Sequence, residues 1–242
     1  MSDDASAGYD DAGPARFLRW GARLEHRRKG TRFGIVLLLL LLTFTFMASG
    51  VSGNWVPLVT VLLQGATLLA ALAASESRVR LVRLAALVFA AALAGGVAAL
   101  FRNGAATRGI ASILSVLLVS GGPVVIASYL IRRRRVDIDT VLGAICVYVL
   151  LGMVFAFMYV AVGELGPHNF FAQPVPQSLE NYLYFSYVTL TTVGYGDLTA
   201  EVGLGRSMAV IEALAGQLYL VTVVALVVSQ LAGRTPRDPG EA

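Results

Sequence analysis

Apolar residues in this chain fall into long runs separated by short polar or basic stretches, the pattern of helices that cross a bilayer. The runs are Phe33 to Gly50, about Trp55 to Ala74, about Leu84 to Phe101, about Gly109 to Ile131, about Val141 to Val162 and about Met208 to Leu231. They predict six spans. Gln64 is the only strongly polar residue inside the second run, and Gly121-Gly122-Pro123 falls in the middle of the fourth. Proline removes a backbone hydrogen bond, so a kink or break is expected there.

Residues 1–15 are acidic and small and lack an apolar core, the composition of a disordered tail. From Ala15 to Arg32, Phe17, Trp20 and Leu24 stand at i, i+3 and i+7 with arginines on the other face. Two readings stay open: a short helix on the cytoplasmic membrane surface, or a charged leader that only fixes topology. The first apolar run starts after some thirty polar residues, too late for a signal peptide.

Between the fifth and sixth runs lies Gly163 to Ser207, too long for a turn and too polar at first to cross the membrane. Pro174 and Pro176 end an extended entry, and Ser178 is a candidate N-cap with Glu180 in the first turn. Leu179 to Thr191 then reads as a short apolar helix that enters the membrane part-way. The negative end of its dipole would favour a cation beyond its C-terminus. Such a segment is tolerated in a bilayer only when protein covers it.

Composition supports the membrane reading, with 57% hydrophobic and 14% charged residues. Cys146 is the single cysteine and lies inside an apolar run, so no intrachain disulfide forms. The net charge of +4 reflects orientation in the bilayer, not nucleic-acid binding. With the N-terminus cytoplasmic, sixteen basic residues fall inside and only Arg102, Arg108 and Arg206 outside. Six spans then place both termini in the cytoplasm and the Gly163 to Ser207 segment outside.

A voltage sensor needs arginines at every third position within the membrane, each worth about 2.3 kcal/mol per 100 mV. Gly109 to Ile131 holds no charge, and Arg132, Arg133, Arg134 and Arg135 are consecutive at the cytoplasmic boundary. They read as orientation and as contacts to anionic lipid, and strong voltage gating is not expected. His26 and His168 are isolated on opposite sides of the membrane, and no spaced His, Cys or acidic cluster suggests metal or nucleophilic chemistry. Neither an enzyme nor a bound cofactor is expected.

The most distinctive stretch is Thr191-Thr192-Val193-Gly194-Tyr195-Gly196-Asp197. Glycine tolerates left-handed backbone at little steric cost, so alternation with Val193 and Tyr195 lets successive carbonyls turn toward one axis. The stretch resembles the signature of the potassium-channel family, and the resemblance extends from Val141 to about Gly233. It implies an all-α membrane protein with six transmembrane helices plus a re-entrant pore helix and selectivity-filter loop. One filter per chain implies a homotetramer. The resemblance implies K⁺, as permeant ion rather than cofactor, held at Thr192, Val193, Gly194 and Tyr195, with Gly196 completing the filter.

It further implies Asp197 at the outer mouth, hydrogen-bonded toward the pore helix, with Thr191 and Tyr184 as filter supports. Tyr184 and Phe185 stand where many members carry tryptophan, and Val188 stands where some bacterial members carry glutamate, so inactivation of that type is not implied. Gly216 falls at the family's inner-helix hinge, or serves as a small residue for close packing. Gln217, Leu220, Val224 and Val228 would line the cavity. Glu212 is a carboxylate inside a spanning helix, costly and by default functional. One reading puts it behind the filter, protonated or bonded to a pore-helix hydroxyl such as Thr191 or Tyr187; the other lets it reach water.

The expected organisation is a cytoplasmic tail (1–32), a four-helix domain without sensor charges (33–135), a pore domain (136–233) and a short cytoplasmic tail (234–242). No cytoplasmic nucleotide-binding or calcium-sensing module is expected after the sixth helix. The expected function is passive, selective K⁺ conduction in the cell membrane. Rivals are a weakly selective cation channel, a non-conducting regulatory pore subunit and a potassium transporter. The last normally folds four filter-like repeats into one chain.

Overall fold

The computed structural model describes residues 32–75, 79–101, 105–132, 138–201 and 203–226. The elements are α1 (Arg32–Ala48), α2 (Val56–Ala74), α3 (Val79–Phe101), α4 (Ala105–Arg132), α5 (Ile138–Leu165), α6 (Leu179–Leu190) and α7 (Gly203–Tyr219). A π turn, Leu220–Val224, continues α7. Among the described residues the only β-pairing is an isolated antiparallel bridge between Phe171 and Ala200. The fold is all-helical, as the apolar runs predict. Among the described residues four helices, α2 to α5, are long and apolar enough to cross a membrane. At 17 residues each, α1 and α7 are shorter.

Helix limits depart from the apolar runs where charge stops a run but not a helix. Arg80 and Arg83 lie inside α3, and α5 extends past both ends of its run. Long basic side chains can extend to polar surroundings while their stems stay on the apolar surface. The expected break at Pro123 is absent, since α4 is helical through it. Gly122 instead serves packing: a Cβ there would lie 2.8 Å from Cδ1 of Leu150 on α5.

In α1, Phe33, Val36, Leu40, Thr43 and Met47 form a buried stripe at helical spacing. It packs with Ala71 of α2, Val119 and Ile126 of α4, Cys146, Leu150 and Met153 of α5, and Leu183 of α6. The first helix thus touches the segment that carries the signature, and Phe44 meets Tyr187 edge-on at 5.0 Å. A second core, of aromatic rings, lies between α5, α6 and the residues around them. Tyr159, Phe170, Phe171, Tyr182 and Phe185 stack with ring centroids 4.9–5.7 Å apart.

Candidate functional site

The site starts at the N-terminus of α6. Ser178 is extended, and its hydroxyl accepts from the Asn181 amide, the cap its sequence position predicts. Twelve residues later α6 ends, and the chain turns out through Thr191 to Asp197 as a ribbon exposed in the protomer. The loops on either side are clamped together. Ala172 N donates to Thr199 O and Glu201 N to Phe170 O, at 2.9 and 2.8 Å. The Gln173 amide bonds both the hydroxyl and the backbone N–H of Thr199.

Backbone geometry sets the ribbon apart. Thr192, Gly194 and Gly196 have φ of 57°, 59° and 79°, while Val193 and Tyr195 keep negative φ. Positive φ is rare for a β-branched residue such as threonine, and backbone outliers of this kind persist where the surrounding structure enforces them. Here the enforcing contacts are amide bonds: Thr192 N donates to Thr189 O, and Val193 N and Gly194 N both donate to Val188 O. A trans peptide points its C=O opposite its N–H. With the amides of 192, 193 and 194 tied back to α6, the carbonyls of Thr191, Thr192 and Val193 point away from the helix. The ribbon therefore presents oxygen on its free side.

Side chains brace it at both ends. Tyr184 Oη of α6 donates to Asp197 Oδ2 at 2.8 Å. Near the other end Gln217 Nε2 donates to Thr192 Oγ1 at 2.8 Å, so α7 holds the start of the ribbon. That contact makes Gln217 a brace as well as a candidate cavity residue. Gly216 sits against the last turn of α6. A Cβ there would lie 2.3 Å from the Leu190 carbonyl oxygen, which favours the close-packing reading of this glycine.

Glu212 is fully buried, so it does not reach water. Its partners differ from those expected. Thr191 Oγ1 donates to the Tyr187 carbonyl, and the Tyr187 hydroxyl donates to the Val149 carbonyl of α5. The carboxyl meets Tyr159 of α5, whose hydroxyl lies 2.6 Å from Oε2, and Ser186 of α6, whose Oγ lies against Oε1. Three helices, α5, α6 and α7, converge on this one side chain. Sequence reading missed Ser186 and Tyr159 because neither carries a motif of its own.

The profile of the ion channel family matches residues 143–232, which take in most of α5, all of α6, the ribbon and α7. Protein LctB of Geobacillus stearothermophilus is 34% identical over 97 residues, spanning 38% of this chain and 72% of the relative. The chain belongs to the ion channel family. Protein LctB of Bacillus caldotenax is 33% identical over 99 residues, with the same shares covered. No solved structure gives a significant match.

This ion channel's matched segment begins after α4, so α1 to α4 lie outside it. Within it, Thr191 to Asp197, Tyr184, Glu212, Gly216 and Gln217 are brought together around the end of α6. Leu220 lies in the π turn, partly exposed, and Val224 closes that turn. Val228, Arg133, Arg134, Arg135 and both tails lie outside the described residues; Arg132 is exposed at the end of α4.

Proposed function

We propose that this ion channel is a K⁺-selective channel, with four copies of the chain placing their 192–196 ribbons around one axis. The observation that carries the reading is the alternating positive φ at Thr192, Gly194 and Gly196, with the amides of Thr192, Val193 and Gly194 tied to α6. That backbone leaves carbonyls free on one side, where rings of them can replace the hydration shell of potassium. In this reading α6 is the re-entrant pore helix, α5 and α7 are the outer and inner helices, and six spans leave both termini cytoplasmic. The exposed apolar face of α7, with Val210, Ile211, Leu214 and Leu218, is then covered by neighbouring copies or lipid.

In this reading the four helices before α5, of which α1, α2 and α4 share a core with α5 and α6, lack sensor charges, and Arg132 to Arg135 meet anionic lipid. The deciding measurement is the reversal potential of the purified protein in a planar bilayer with K⁺ on one side and Na⁺ on the other. A reversal potential far from zero, with the sign that K⁺ flow alone gives, and block by barium are expected. A reversal near zero would replace this reading with a weakly selective cation channel.

The outer brace gives a second expected outcome. Tyr184 and Asp197 are exposed in the protomer, so water competes for their bond and it adds little to stability. Tyr184→Phe is expected to leave thermal stability nearly unchanged while the current decays several-fold faster during sustained opening. Asp197→Asn on top of it should add little, because both remove one bond. Fully additive effects on decay would show that the two residues act separately.

A further inference from the structure

The hydroxyl of Ser186 has one proton and two partners. Its Oγ lies 2.7 Å from the Gly152 carbonyl of α5 and also against Oε1 of Glu212. A backbone carbonyl can only accept, so the bond to Gly152 uses the single Ser186 proton. The contact with Glu212 then needs a proton from the other side. The remaining hydroxyls nearby are committed elsewhere: Tyr159 donates to Oε2, Tyr187 to the Val149 carbonyl and Tyr148 to the Leu190 carbonyl. These phenols of α5 and α6 are the titratable groups that face Glu212. None has a second proton to give.

The geometry points to Glu212 as a neutral carboxylic acid that donates its own proton to Ser186. The result is one unbroken chain of hydrogen bonds, from Tyr159 to Glu212, to Ser186, to the Gly152 carbonyl. Every polar atom in it is satisfied: Tyr159 gives and Oε2 accepts, Oε1–H gives and Ser186 Oγ accepts, and Ser186 gives to the carbonyl. An ionised Glu212 would break the chain at Ser186, which must then leave either Gly152 or the carboxylate unbonded. A fully buried charge without a cation among its hydrogen-bond partners is also costly.

The arrangement makes Glu212 a positioning residue. It joins α7 to α5 and α6 at Ser186, two residues before Val188, whose carbonyl holds the ribbon amides of Val193 and Gly194. Fixing Ser186 fixes the turn of α6 that shapes the ribbon. The consequence for conduction rests on the potassium-channel reading; the protonation does not.

The test is infrared spectroscopy on the full-length protein in lipid vesicles, comparing wild type with Glu212→Gln at neutral pH. The difference spectrum is expected to show loss of a carboxylic-acid C=O stretch that shifts in D₂O. Loss of carboxylate bands instead would overturn the proposal. Ser186→Ala provides a second variant that keeps the acid: its C=O band should shift upward as the O–H loses its acceptor, and an unmoved band would count against the chain. For the positioning role, Glu212→Leu is expected to lower single-channel activity at least tenfold, and Glu212→Gln to restore most of it. Equal loss in both variants would overturn positioning by a neutral donor. The infrared arm needs no ion flux, so vesicles that show the band but pass no K⁺ would remove the potassium reading and keep this one.

Discussion

Gly216→Ala is expected to destabilise the protein and to abolish most of its conduction. Alanine is the better helix former by about 1 kcal/mol, so a glycine needed only for flexibility would leave a variant at least as stable as the parent. Here the added Cβ would stand 2.3 Å from the Leu190 carbonyl oxygen and 3.2 Å from its carbon, both backbone atoms. A side chain could rotate away, but the end of α6 cannot do so without moving Thr191 and Thr192. Overpacking of this kind costs about 1–3 kcal/mol per chain. The same carbonyl lies 3.5 Å from the Tyr148 hydroxyl, so displacing it also disturbs its contact with α5. Thermal melting by fluorescence-detected gel filtration, read beside single-channel recording, separates the two roles. A variant as stable as wild type with only its open probability altered would make Gly216 a hinge and not a packing contact.

The same contrast shows what the sequence could and could not reveal. The short helix and its cap were legible because Pro174, Pro176 and Ser178 are local signals, and local signals need no knowledge of the tertiary fold. The ribbon was legible for a similar reason: two glycines spaced by Val193 and Tyr195 report a backbone requirement directly. The apolar runs located the helices but misplaced ends such as Val79, because a helix needs backbone bonds and not apolar side chains. Partners across the fold were a different matter. Ser186 and Tyr159 lie 26 and 53 residues from Glu212, and only the relative register of α5, α6 and α7 decides that they meet it. The aromatic core around Phe170 and the Phe171–Ala200 bridge were not seen, since neither has a periodic signature. The π turn after Tyr219 contains no proline or glycine, so its own residues carry no local signal of it.

Gly194→Ala is expected to spare the fold and remove selective conduction, the reverse of the balance at Gly216. A Cβ on Gly194 would meet no atom of the protomer within 4 Å, so nothing in the single chain resists it sterically. The cost lies in the backbone. At φ of 59° an L-residue pays about 1–2 kcal/mol, or about 4–8 kcal/mol over the four chains of the proposed tetramer. The strain is relieved if φ turns negative, and that rotation swings the neighbouring peptides. Gly194 N then loses its 3.3 Å bond to Val188 O, and the Val193 carbonyl, held opposite that amide, leaves the proposed ring. Thr192 withstands a similar φ because Gln217 and the Thr189 carbonyl grip it from two sides, whereas Gly194 has the shared Val188 bond. The expected result is a protein that still assembles and melts within a few degrees of wild type. Its K⁺ current should fall at least a hundredfold, or its reversal potential move to near zero between K⁺ and Na⁺. An alanine variant that keeps both the current and the K⁺ reversal potential would show that the positive φ at this position is not what makes the ribbon select.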